Sequence, residues 1–207
     1  MPHRNRPAKR AAALLLAALL LALTGCTASD PATESGGGQL QRYQSSFIDL
    51  FDTVTLVVGY ASTEEEFSAE MTGFHDLLEE YHQLYDIYND YEGVNNIKTI
   101  NDNAGGDPVE VDRRIIDLLL FAKEMYERTD GQTNDMLGSV LALWHDAREY
   151  GINNPEDSYL PDADALAEAN AHTSMDSLVI DDENNTVQIT DPLARLDVGA
   201  VAKGYAV

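Results

Sequence analysis

The sequence predicts an α+β fold. Long segments carry apolar residues at three- and four-residue spacing, the period of a half-buried helix, and shorter segments alternate apolar and polar residues, the period of a strand. The two kinds occur in mixed order with mostly antiparallel strand signals, which favours α+β over a doubly wound sheet.

The first strand is expected in "FIDLFDTVTLVVGYA", residues 47–61, where β-branched and apolar residues alternate. A long helix follows. Ser62 or Thr63 caps it, Glu64, Glu65 and Glu66 complement the dipole of its first turn, and Phe67, Met71, Phe74, Leu77, Leu78, Tyr81, Leu84 and Tyr85 form its apolar stripe. Residues 90–108 are rich in Asn, Asp and Gly and read as loop. Asp112 caps a second helix with a stripe of Ile115, Ile116, Leu119, Leu120 and Ala122, and Gly131 stops it. A turn then leads into a short helix ending at Gly151, with Trp144 at helical spacing and expected in the core. "NNPEDSYLPDAD", residues 153–164, reads as loop, "ADALAEANAH" as a short helix, and "SLVIDDENNTVQITD" as a hairpin turning at Asp182–Asn185. The chain closes with "ARLDVGAVAKGYAV", a strand-like run, a Gly-containing turn and the first turn of a helix.

Composition narrows the function. The 207 residues carry 36 acidic and 13 basic side chains, a net charge of −23. Such a field repels phosphate backbones and anionic headgroups, so nucleic acid is excluded as a partner. An anionic substrate would need local help from a metal ion or from backbone N–H groups.

Residues 1–25 read as an export signal, with Arg4, Arg6, Lys9 and Arg10 ahead of an apolar run too short to span a bilayer comfortably. The run ends in "LTGC", which resembles the bacterial lipobox and makes Cys26 the expected lipidation site. As the one cysteine, Cys26 forms no internal disulfide. Cleavage would take away four basic and no acidic residues, changing the net charge from −23 to −27. Acyl chains would then have to hold the protein on the extracytoplasmic face of the cell membrane. Residues 26–40, polar and with three consecutive glycines, read as a flexible tether to a folded body over residues 41–207.

Most chemical signatures are missing. Gly199, Lys203 and Gly204 do not form a Walker A loop, because the lysine precedes the second glycine and Tyr205 stands where it belongs. Glycines before a helix still let backbone N–H groups approach an anion. His75 and His82 lie two turns apart on one helix face, with no carboxylate or cysteine in a recognised zinc spacing. No G-x-S-x-G elbow is present.

Several segments, in order, resemble the ApbE family of FAD:protein FMN transferases, which are often exported lipoproteins. "FDTVTLVV" stands where that family has Met-Gly-Thr leading into its first strand, and "YDIYNDYEGVNNIKTIN" resembles its S-x-Y stretch, with Tyr88 at the aromatic position and Asn101 closing it. "DLLLFAKEMYERTDGQTNDMLGSVLALW" is similar to the family's ELLxxAxE…TDGAFDPTVGPLVxLW, and "LDVGAVAKGYAV" to its [IL]-D-[LV]-G-[GA]-[IV]-A-K-G-Y-A.

The resemblance implies a flavin site that takes FAD as substrate, lined by Phe51, Tyr88, Gln132, Thr133, Asn134, Asp197 and Lys203. It also implies Mg²⁺, with Ala200 contributing its backbone carbonyl. The implied reaction moves FMN from FAD to a Thr or Ser hydroxyl of an exported flavoprotein, with release of AMP. A flavin-binding lipoprotein without transfer is the alternative, as is a purely structural or interaction role. Without a ligand, Asp197 would cap the helix after it and Lys203 would face solvent. The sequence departs from the family pattern in two ways. Thr133 and Asn134 replace its Phe-Asp pair. The D-[AG]-x-[AS]-T segment that supplies its remaining magnesium ligands does not occur, so the chain is expected to be the N-terminal part of a longer protein and a poor transferase by itself.

Overall fold

A computed structural model describes residues 39–51 and 53–207. The export signal, Cys26 and the tether up to residue 38 lie outside the described residues.

Strands β1 (Gln41–Phe47) and β2 (Thr55–Ala61) form an antiparallel hairpin, with Gln41 opposite Ala61 and Phe47 opposite Thr55. This corrects the single strand expected over 47–61. The apolar alternation continues through residues 48–54, but the backbone turns there, with Phe51 at φ +54°. β1 is polar on one face and carried little apolar signal. It packs through Tyr43, whose ring stacks on Phe67 at 5.6 Å.

Helix α1 (Glu64–Tyr85) starts as expected: the Thr63 hydroxyl accepts from the Glu66 amide at 3.1 Å, and the Glu66 carboxylate accepts from the Ser62 amide at 3.0 Å. Within the expected loop lies a short helix, α2 (Ile97–Asp102), set by a reciprocal capping box between Asn96 and Thr99. Two residues, Val109–Glu110, form β3. Helix α3 (Arg113–Arg128) is capped by Asp112 and buries Ile115, Ile116, Leu118, Leu119 and Ala122. Leu118 takes the core position expected for Leu120, which is 39% exposed. After α3, Gly131 adopts φ +77°, the left-handed turn that ends many helices.

Helix α4 (Gly138–Asn153) is longer than expected and runs through Gly151. Its buried residues are small, Gly138 and Ala147, so Trp144 stays 45% exposed rather than entering the core. Helix α5 (Ala163–Asn170) is capped by Asp162. Strands β4 (Leu178–Asp181) and β5 (Thr186–Ile189) form the expected hairpin, with β3 on the other side of β5, so the sheet runs β3-β5-β4 and is antiparallel throughout. Helix α6 (Ala202–Ala206) closes the chain and meets α3 through Tyr205 and Phe121, 5.3 Å apart.

The core joins the end of α1, α2, α3 and the three-stranded sheet, with Ile97, Ile115, Ile116, Leu118, Leu119, Val187 and Leu196 completely buried. At about 25 cal/mol per Å² of apolar area, this cluster supplies the main force ordering the polar segments attached to it.

Candidate functional site

The strand-like run before α6 is fixed from both sides without joining a regular sheet. On one side the Asn101 amide acts as a two-way clamp: Nδ2 donates to the Leu196 carbonyl at 2.9 Å, and Oδ1 accepts from the Leu196 amide at 2.7 Å. On the other side the Gly138 amide donates to the Arg195 carbonyl at 3.1 Å, and the Asp197 amide to the Asp135 carbonyl at 2.8 Å. A side chain at Gly138 has no room, since its Cβ would lie 2.6 Å from the Arg195 carbonyl oxygen. These contacts present Asp197 and the start of α6 to a cleft.

That cleft, of about 440 Å³, is walled by Phe51 between β1 and β2, the end of α1 with the turn after it, Arg148 of α4, Asp197 to Gly199, and Ala202 and Lys203 of α6. It brings together Phe51, Tyr88, Asp197 and Lys203, residues that lie far apart in the chain. Asp197 Oδ1 accepts from the Gly199 amide at 3.0 Å, forming a local turn, and α6 has no side-chain cap. Lys203 and Arg148 place two cations on the wall of an otherwise acidic protein.

Asp86 organises the turn that carries Tyr88. Its carboxylate accepts from the Tyr88 amide at 2.6 Å, the Asn89 amide at 3.2 Å, Asn89 Nδ2 at 2.9 Å and the Tyr91 hydroxyl at 2.8 Å. Burial works to raise its pKa, but hydrogen bonds from Asn89, the Tyr88 amide and Tyr91 outweigh it, and the net value is lowered. The Tyr88 ring, half exposed, stacks on His145 at 5.0 Å. His145 Nδ1 lies 2.9 Å from Arg148 Nη2 and 3.4 Å from the Tyr88 hydroxyl. A guanidinium only donates, so Nδ1 carries no proton. Opposite, the Phe51 amide donates to His82 Nδ1 at 3.2 Å, and the two rings meet edge to face at 5.4 Å.

Gln132, Thr133 and Asn134 do not line this cleft. Gln132 is exposed, and the Thr133 amide donates to the Thr129 hydroxyl at 2.9 Å. Asn134 is engaged elsewhere: Nδ2 donates to the Thr173 carbonyl at 3.0 Å, and Oδ1 accepts from the Met136 amide at 2.9 Å. The next residue, Asp135, is 2% exposed with both carboxylate oxygens lacking a hydrogen-bond partner. Burial, followed by the charge of Asp197, pushes its pKa up to about 6. Sequence reasoning passed over it. Its one signal was an acidic residue where the family stretch has proline. It also passed over Asp86 and Arg148, and it weighed His82 only as a partner of His75; His82 lies in the last turn of α1 and Asp86 is the residue just after that helix.

Ala200 is exposed on the loop between Asp197 and α6. Asp197, three residues before it, and Asp135, whose backbone carbonyl accepts from the Asp197 amide, supply carboxylate oxygens of the kind a small divalent cation such as Mg²⁺ takes. Among the described residues, one group of three metal-capable side chains gathers, His75, Asp76 and Glu79 on α1, and it lies outside the cleft. Aromatic rings beside two cations fit a flavin nucleotide, whose ring system stacks and whose phosphates are anionic.

Comparisons with known proteins agree with this geometry. A family model described as the ApbE family matches residues 51–207. The chain is 31% identical over 127 residues to the FAD:protein FMN transferase of Klebsiella pneumoniae (strain 342), an alignment covering 59% of this chain and 38% of that protein. It is 32% identical over 114 residues to the protein of the same name from Treponema pallidum (strain Nichols), covering 53% and 30% respectively. The chain thus spans about a third of the length of these relatives. Among solved structures, the ApbE protein of Thermotoga maritima superposes with a TM-score of 0.63 at 27% identity, covering 80% of this chain and 50% of that one. The flavin transferase ApbE of Vibrio cholerae gives 0.65 at 20% identity over 82% and 52%, a likeness of fold. The mixed helices and antiparallel sheets expected from the sequence are those of these structures.

Proposed function

The chain belongs to the ApbE family, and on that premise we propose that it forms the flavin-holding part of an FAD:protein FMN transferase. The observation that carries this reading is the single cleft that gathers Phe51, Tyr88, Asp197 and Lys203. The rings of Phe51 and Tyr88 offer faces for flavin or adenine. Lys203 and Arg148 offset the pyrophosphate charge, and Asp197 accepts from ligand N–H or O–H groups. In the reaction, a Thr or Ser hydroxyl oxygen of an exported flavoprotein attacks the FMN-side phosphorus of FAD. The pyrophosphate P–O bond breaks, AMP leaves, and the hydroxyl proton is released. Most of the acceleration in such chemistry comes from positioning and charge stabilisation. Mg²⁺ would be held in part by Ala200 and would supply charge neutralisation at the phosphates. The protein would act on the extracytoplasmic face of the membrane, held there by a lipid on Cys26.

The test is a titration of FAD against wild type, Lys203→Ala and Asp197→Asn, with melting curves alongside. Loss of a charge-assisted hydrogen bond is worth roughly 1.5–3 kcal/mol, so each variant should bind about ten- to a hundredfold more weakly at nearly unchanged Tm. Unchanged affinity in both would reduce the motif to a structural turn.

One observation favours a second reading, flavin binding without transfer. Asn134, at the position of the family's aspartate, is tied to Thr173 and Met136 and brings no charge to the cleft. Incubation with FAD, Mg²⁺ and an acceptor protein separates the two, since only a transferase leaves a fluorescent flavinylated acceptor.

A further inference from the structure

We infer that His82 is a positioning residue of the flavin cleft, holding Phe51 in place and coupling it to the turn that carries Tyr88. Phe51 has φ +54°, a left-handed conformation unfavourable for a bulky side chain, so something must hold it. The contact that does so is the bond from its amide to His82 Nδ1 at 3.2 Å. An amide only donates, so Nδ1 is the unprotonated nitrogen and the imidazole proton sits on Nε2. Nε2 faces the Tyr91 hydroxyl at 3.4 Å, and that hydroxyl donates to Asp86 Oδ2 at 2.8 Å. The other oxygen of Asp86 accepts from the Tyr88 amide at 2.6 Å. One relay, Phe51–His82–Tyr91–Asp86–Tyr88, therefore connects the two aromatic walls of the cleft. Ring packing alone would not require this tautomer or this backbone conformation.

The effect on ligand binding rests on the flavin reading, whereas the effect on Phe51 does not. Three forms of the full chain separate them: wild type, His82→Leu, which keeps bulk without an acceptor, and His82→Asn, whose Oδ1 can replace Nδ1. Two quantities are measured, FAD affinity by fluorescence titration and Phe51 amide exchange by ¹⁵N NMR, together with the ¹⁵N shifts of the wild-type imidazole. The Leu variant should bind FAD about three- to tenfold more weakly and exchange the Phe51 amide faster, and Asn should restore both to within about twofold. The wild-type imidazole should carry its proton on Nε2. A proton on Nδ1, equal Phe51 exchange in all three forms, or full FAD affinity in the Leu variant would overturn the role. If wild type itself fails to bind FAD, the flavin reading falls, and the Phe51 amide still decides whether His82 holds it. Should the Leu variant fail to fold, the wild-type shifts and the Asn variant remain decisive.

Discussion

Asp135 shows how much a single side chain can cost where no partner meets it. Its carboxyl pKa is pushed from an ordinary 3.8 up to about 6, by burial first and by Asp197 second. The folded chain therefore holds this proton more tightly than the unfolded chain does. The linked stability is fully present below about pH 4 and is lost as pH rises through about 6, amounting to about 3 kcal/mol. Asp135→Asn removes that slope. In urea denaturation the variant should gain stability on wild type as pH rises from about 4 to about 6 and hold that gain above it, and parallel curves from pH 4 to 7.5 would show that the charge is met in solution. The sequence could not reveal this residue, because an acid in a Gly- and Asn-containing turn usually faces water and its burial comes from segments far away in the chain. Asp197 and Lys203 stood out for a different reason: they sit inside LDVGAVAKGYAV, whose spacing is distinctive, whereas Tyr88 rested on a weaker match.

At the scale of elements, the segment over residues 195–197 shows a strand built from borrowed partners. The Asn101 amide replaces one neighbouring strand, and the 135–138 backbone replaces the other. Asn101→Ala would leave the amide and carbonyl of buried Leu196 without this partner, at about 1–3 kcal/mol for each orphaned group. Gly138→Ala forces a methyl against the Arg195 carbonyl, with a cost of about 1–3 kcal/mol from overpacking. Both variants should show lower urea midpoints and weaker FAD binding. Wild-type midpoints would mean that the segment is held by burial of Leu196 alone. The long helices α1 and α3 and the β4–β5 hairpin were readable because each carries its own apolar period and cap. β3 and α2 are too short to show a period, and β1 is too polar to stand out. The 48–54 turn was missed because apolar alternation runs straight through it, and its bend depends on His82, a residue of another element. Trp144 was misplaced because the sequence shows a helix's apolar residues but not which face its neighbours cover.

At the scale of the whole molecule, the charge of −23 leaves no surface attraction for an anionic membrane. Attachment would then fall to Cys26. Cys26→Ser should remain uncleaved or leave the membrane fraction, and wild-type processing and fractionation of that variant would remove the anchor from the reading. The acidic balance and the order of elements were legible from composition and pattern. The cleft was not, because its walls come from four separate stretches of chain. The clamp between Asn101 and Leu196 joins residues 95 apart in sequence. Closing a loop of that length costs roughly 4 kcal/mol of chain entropy beyond a constant. Long-range closures of this kind slow folding and are rewarded only once the surrounding core exists. The cleft is therefore a late product of folding. Partly folded chains would present the Gly-containing turn and the aromatic residues without the geometry that joins them, so the proposed affinity for FAD would arise only once these stretches have met.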